Sequence, residues 1–310
     1  MRPARRDHLG AGGSGLRRPG VAGLAFVLPG FALYVVVMLY PAVQALLISL
    51  RRYNIVPGAS SPWVGLRNYV RAVEDPVLRR SFVNVAVYTL VTVPAQVVIG
   101  MFLAVLLDAK MKGRTFFRVL FYVPVVTSWV VVSLLFQYLF GTDRGLVNWI
   151  LVDVLHLVGD HVNWLGGRWT SMIAVSLLGI WKGVGWAMLI FVAALTGVPR
   201  ELHEAAAIDG ANSMRRFQHV SLPLIRGALA TVVILLMIGG FNVFTSVLLM
   251  VGNDPLHEKQ VPLTYMYEQA FSFLDFGYGS AISFLLTLVV FPLAALQYAF
   301  TQRRARAAFA

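Results

Sequence analysis

The chain has 310 residues, 58% of them hydrophobic and only 13% charged, with a mean hydropathy of +0.73. An ordinary soluble domain carries about a quarter charged residues, so that class is excluded. The net charge of +12 would suit nucleic acid, but its distribution is that of a membrane protein, and the absence of cysteine excludes disulfides, Fe–S clusters and thiol catalysis.

Residues 1–21 are rich in Arg, Gly and Pro and read as a disordered, basic cytoplasmic tail. Six apolar runs follow, near 22–50, 82–107, 116–140, 172–195, 226–251 and 278–301. Each can cross a hydrocarbon core, which takes about 20 helical residues. The expected fold class is all-α, a polytopic membrane protein with six transmembrane helices. The first run is too long for a cleaved signal peptide and lacks a small-residue cleavage pattern. With the N-terminus in the cytoplasm, sixteen Lys and Arg fall on inner segments and nine on outer ones, with Lys182 inside a span. Arg51, Arg52, Arg67, Arg71, Arg79 and Arg80 crowd the first outer loop against this trend. The tight clusters Lys110/Lys112/Arg114 and Arg303/Arg304/Arg306 still set both termini, including the tail 303–310, in the cytoplasm. The same charges suit lipid headgroups.

In the first outer loop, residues 63–69 read as an interfacial segment, since Trp and Tyr favour the headgroup level. The second outer loop, 141–171, carries Trp149, Trp164 and Trp169, either as an aromatic belt or as a docking surface. Lys182 should face a cavity, a partner helix or the interface, because a lipid-facing ammonium costs about 3 kcal/mol on insertion scales. Gly239-Gly240, followed by Phe241-Asn242, interrupts the fifth run and could bend it or open a space for substrate. No G-x-x-x-x-G-K-[ST] loop is present, so ATP hydrolysis is expected elsewhere. Histidines at metal-ligand spacing, a Ser/His/Asp set and intramembrane carboxylates are all missing, which argues against a membrane enzyme and a proton-coupled carrier.

Residues 199–223 form a polar link between two long apolar runs, and their spacing predicts two short helices joined at one glycine. Pro199 suits a first helical position. Glu201 and Glu204 sit where the positive helix end favours them. Ala205 to Ala207 propagate the helix, and Gly210 can take the left-handed conformation that ends it. Asn212 can cap a second helix, with Met214, Phe217 and Val220 recurring every third residue. Pro223 then starts the next long helix. The product is a knob suited to a socket on a partner.

This segment resembles the cytoplasmic loop of the binding-protein-dependent ABC importer permeases, whose pattern is E-A-A, three residues, G, nine residues, I-x-L-P. Glu204, Ala205, Ala206, Gly210, Leu222 and Pro223 match it, with Val220 for Ile, and Asp209, Ala211 and Phe217 match the fuller carbohydrate-type form. Weaker family-like segments occur at 28–30, 40–41, 64–69, 116–124, 181–186, 264–267 and 276–281, so the similarity covers roughly residues 24–302. They resemble the maltose F-type and glycerol-phosphate A-type subunits.

The resemblance implies a type I importer permease domain over 22–302 in a bacterial or archaeal inner membrane, moving a sugar, oligosaccharide or glycerol-phosphate-type solute. It implies a second homologous permease subunit, two ATPase subunits and an extracytoplasmic solute-binding protein. ATP and Mg would be bound by the ATPases, with no cofactor in this chain. Glu204, Ala205, Ala206, Asp209, Gly210, Ala211, Phe217, Leu222 and Pro223 would couple to an ATPase. The spans that the family uses for its path carry Gly179, Lys182, Gly183 and Trp186 at a spacing that shares one helix face. Gly239, Gly240, Asn242 and Val243 on the fifth run, and Ser128 and Trp129 on the third, are further candidates. Small residues also serve plain helix packing. The rival reading is a six-helix channel or secondary carrier uncoupled from ATP, which leaves the hairpin unexplained.

Overall fold

The computed structural model describes residues 19–56, 58–108, 113–252 and 254–307. The basic tail expected over 1–21 and the Lys110/Lys112 pair fall almost wholly outside these residues. The chain divides into two units at Leu47/Ile48. In the first, α1 (Pro19–Tyr34) passes through a wide turn, Val35–Leu39, into α2 (Tyr40–Ser49). Pro41 has no N–H to donate, and beside it the Tyr40 N–H reaches back five residues to the Val35 carbonyl. Apolar side chains lie exposed along Phe26–Ser49, a stretch long and apolar enough to cross a membrane.

The second unit contains α3 (Arg67–Glu74), α4 (Pro76–Asp108), α5 (Arg114–Val126) and α6 (Trp129–Leu139). It continues through α7 (Leu146–Asn148), which leads into a wide turn at Trp149–Val154, and α8 (Arg168–Thr196). The link 199–223 contains α9 (Arg200–Ile208), α10 (Ser213–Arg216) and α11 (Leu222–Leu224). The chain ends with α12 (Arg226–Phe241), α13 (Thr245–Val251), α14 (Pro262–Tyr267) and α15 (Phe276–Ala307).

Helices α4 and α8 run parallel along a seam where both residue numbers rise together. Arg168 Nε donates to Asn84 Oδ1 at 2.8 Å, Gly179 lies against Tyr88, and Gly100 lies against Ala187. Helix α12 returns antiparallel, with Gly240 against Thr89 of α4. The start of α15 comes back beside the start of α4, where Tyr278 bonds Asp75. The connections containing 51–75, 140–167 and 252–275 therefore gather at one end of the bundle. Asp108, the start of α5 and the link 199–223 lie at the other.

Two runs that look continuous in the sequence are broken. The run at 116–140 is α5 and α6, which meet at 94° across Thr127-Ser128. The run at 226–251 breaks at Asn242–Phe244, after the glycine pair and not at it, because α12 continues through Gly239 and Gly240 to Phe241. Among the described residues, four helices are long and apolar enough to cross a membrane, and up to six spans result if each bent pair counts as one.

Candidate functional site

Helix α9 starts one residue later than expected: Pro199 is extended, with ψ 134°, and stands outside the first turn. At its other end Gly210 takes φ +79°, so the Gly210 N–H reaches the Ala207 carbonyl at 3.1 Å and the Ala211 N–H reaches Ala206 at 2.9 Å. This paired return satisfies the last carbonyls of the helix. Two residues on, Asn212 Oδ1 accepts the Arg215 N–H at 2.9 Å and caps α10. The second helix is less regular than its spacing implied. It widens over Phe217–Ser221 and becomes α11, and Pro223 lies inside that short piece. The long helix begins only at Arg226, after a 71° bend at Ile225, whose side chain is buried in the core.

Of the candidate coupling residues, Glu204, Ala205, Asp209 and Gly210 are exposed, and Ala206, Ala211, Phe217, Leu222 and Pro223 are half-buried. Glu201, Glu204, Asp209 and Arg215 form no ion pair among the described residues. Ile208 is 87% exposed and Met214 62%, so two apolar side chains stand in water on a polar hairpin. Ile208 was not singled out in the sequence. Its signal is position, the last apolar residue before the Gly210 turn.

The four candidates on α8 do not share one environment. Gly179 and Gly183 seat Tyr88 and Gln96 of α4, where a Cβ would collide with the tyrosine hydroxyl and the glutamine amide. Gln96 Nε2 donates to the Gly179 carbonyl at 2.8 Å. Lys182 is turned to the α5–α6 break: Nζ donates to Thr127 O at 2.6 Å and Pro124 O at 2.8 Å. Trp186 is half-buried at the edge of the core around Met188 and Phe191. A helix turns about 100° per residue, so Lys182 and Gly183 diverge although their numbers adjoin.

On α12 and the break after it, Gly239 is open and Gly240 is packed on Thr89. The exposed Asn242 side chain bonds the Ile238 carbonyl at 2.8 Å, and Val243 is in the core with Phe241 and Val247. Ser128 and Trp129 are exposed at the third-run break, and the Trp129 ring centre lies 4.9 Å from the Lys182 ammonium.

The opposite end is tied by polar groups. Asp75 caps α4 through the Val77 and Leu78 N–H groups at 2.8 and 3.2 Å. Its other oxygen accepts Tyr265 at 2.7 Å and Tyr278 at 2.6 Å. Burial opposes its charge, but the hydroxyls of Tyr278 and Tyr265 and the two backbone N–H groups outweigh it, holding the carboxyl below its ordinary range. Burial, and then the bond and charge of Asp75, push the Tyr265 hydroxyl up. Arg71 pairs with Asp275 at 2.7 Å and stacks over the Tyr278 ring at 3.9 Å. Residues 63–69 are built into this end: Asn68 Nδ2 donates to Ser49 O at 2.7 Å and Arg51 O at 3.0 Å.

Trp164 is packed into the fold. Its indole N–H donates to Asn148 Oδ1 at 2.8 Å, and its ring packs edge-on against Phe140. The Asn148 side chain also binds Thr142 O and both backbone groups of Val162, which closes the neck of this loop. A cavity of about 380 Å³ beside it is lined by Tyr138, Arg144, Trp149, Asp153 and His161, among others.

Residues 96–306 match the family described as binding-protein-dependent transport system inner membrane component. The chain belongs to this family. It contains the α4–α8 seam from Gln96 on, the broken runs and the capped hairpin, and the chain is the permease subunit of an ABC importer. This permease is 34% identical over 268 residues to the arabinooligosaccharides transport system permease protein AraP of Bacillus subtilis, covering 86% of this chain and 83% of that one. It is 31% identical over 281 residues to the sn-glycerol-3-phosphate transport system permease protein UgpA of Yersinia enterocolitica, covering 90% and 94%. Among solved structures it resembles a chain of a bacterial alginate ABC transporter in complex with an alginate pentasaccharide-bound periplasmic protein. The TM-score there is 0.80 at 18% identity, over 94% of this chain and 96% of that one. The permease has the all-α, type I ABC importer permease fold.

Proposed function

We propose that this permease is one half of a heterodimeric pore that imports a sugar, oligosaccharide or glycerol-phosphate-type solute. The observation that carries the reading is the hairpin, a firmly capped knob at E-A-A spacing whose charged side chains find no ion-pair partner in the described chain. The solute class is supported by AraP and UgpA, named for arabinooligosaccharides and glycerol phosphate. Two separate ATPase subunits bind ATP and Mg, and each grips one hairpin through Glu204, Asp209 and the exposed face near Gly210. Closure of the ATPases moves the hairpin, and the bend at Ile225 passes that motion to α12. A solute-binding protein loads the opposite end. The end with Arg114, Arg118, Arg200, Arg215, Arg216 and Arg226 is the cytoplasmic one. The membrane domain is 22–302, with cytoplasmic tails, in a bacterial or archaeal inner membrane. Ser128, Trp129, Lys182, Trp186, Gly239 and Asn242 lie along the path or its walls.

The test is ATP-dependent uptake of a panel of labelled sugars by proteoliposomes holding this permease with its partner permease, ATPases and binding protein. Saturable uptake of an oligosaccharide or glycerol phosphate is expected. ATP-independent flux through this chain alone would replace the reading with a channel or carrier.

A further inference from the structure

Halfway along α8 a cation is buried without a carboxylate. Lys182 is the fifteenth residue of the helix and is 4% exposed. Its ammonium donates to Thr127 O at 2.6 Å and Pro124 O at 2.8 Å, with Val125 O and Thr127 Oγ1 more distant at 3.4 Å. No ion pair among the described residues includes it. Its partners lie at the end of α5, where the break leaves carbonyls without helical donors and the helix dipole is negative. In broken membrane helices such carbonyl ends coordinate mobile cations. Here a tethered cation occupies the position. The negative helix end is equivalent to about half a unit charge, so a protonated ammonium is only partly offset and net positive charge remains midway along α8.

The break also faces a restricted choice of surroundings. Irregular backbone at membrane depth is tolerated in protein or along a water-filled cavity, and not against lipid tails. Ser128 and Trp129 are exposed at this break, with the Trp129 ring against the ammonium.

We propose that Lys182 sets the charge selectivity of the transport path. Its ammonium holds a positive potential behind Ser128 and Trp129, so this station admits neutral or anionic polyhydroxylated solutes and rejects cationic ones. The same ammonium is a positioning group: it fixes the α5–α6 elbow and with it the Trp129 ring, whose free part is a stacking face for a sugar. At intermediate dielectric, one unit charge within about 8 Å changes the local preference for anion over cation by roughly tenfold or more. This inference rests on the reading of the chain as part of a pore.

The permease has no cysteine, so Ser128→Cys reports on one site. Membranes holding the full chain are labelled with an anionic sulfonatoethyl and a cationic trimethylammonioethyl methanethiosulfonate, each rate being normalised to that of a free thiol. The expected anion-to-cation ratio is roughly tenfold. It should fall to near one when Lys182→Met is added and persist with Lys182→Arg. A ratio near one in Ser128→Cys itself overturns the proposal even if the Met variant fails to accumulate. An unchanged ratio in the Met variant, or no labelling by either reagent, also overturns it. Labelling needs neither solute nor ATP, so its outcome is separate from the uptake experiment that tests the permease reading.

Discussion

At one end of the bundle the Asp75 carboxylate takes four hydrogen bonds from α4, α14 and α15, with the Arg71–Asp275 pair beside it. At the other end the hairpin is held by its own caps, while its charges form no ion pair among the described residues and Ile208 and Met214 stand exposed. Both ends are ordered, but by different means. The Asp75 end is finished within the chain, because its polar groups satisfy one another across helices. The hairpin is finished only locally, and its outward surface is free to bind. Substitutions at Asp75 should therefore act on stability, and substitutions on the hairpin on coupling.

The largest stability loss is expected from Asp75→Ala, which strands two tyrosine hydroxyls and two helix-start N–H groups. It should cost about 3–5 kcal/mol. A large fall in the Tm of the purified permease would be the sign, and an unchanged Tm would end the contrast between the two ends. The pH dependence sharpens it. Asp75 has a depressed pKa, so its contribution is full above the ordinary carboxylate value of about 4 and is lost as pH falls through the folded value. Tyr265 has a raised pKa, so its contribution is full below about 10 and is lost as pH climbs through the folded value. A Tm-against-pH profile of the wild type should show both limbs, and Asp75→Asn should weaken the acid one.

Gly210→Val is next. A β-branched residue at φ +79° should strain the turn by about 1–2 kcal/mol while leaving bundle Tm nearly unchanged. Stimulation of the ATPases by loaded binding protein should be lost, and full stimulation would remove the hairpin from the coupling path. The smallest stability change belongs to Ile208→Ser, within about 0.5 kcal/mol because the side chain is already in water. Retention of the ATPase subunits on the affinity-captured permease should nonetheless fall. Undiminished retention would mean that this apolar side chain is not part of the docking face.

How much of this was legible depends on the range of the forces. The hairpin was readable because Gly210 and Asn212 act on neighbours within five residues. The membrane class was readable because apolar length alone sets it. The third-run break was missed: Pro124 and the N-cap residue Ser128 are local signs of it, but the group that holds it, Lys182, is 55 residues away from Thr127. The fifth-run glycines pointed to the right region but the wrong residues. Gly240 serves close packing on Thr89, and the chain turns only at Asn242. On α8 the spacing of Gly179, Lys182 and Gly183 suggested one face, but their partners on α4 and α5 divide it. The tyrosines that meet Asp75 are separated from it by 190 and 203 residues, beyond any local pattern.

The Asn148 side chain uses both of its amide hydrogens and its oxygen to tie the two strands of one loop together at their base. Residues 149–161 are thereby closed off at their base, and beyond the knot Trp149, Asp153 and His161 line one cavity with Tyr138 of α6. Changes of chain length beyond that knot should therefore reach α8 less than changes at the base of the loop. One amide side chain thus acts as the clasp of a loop, and the length of chain beyond the clasp is the part of this end that the bundle constrains least.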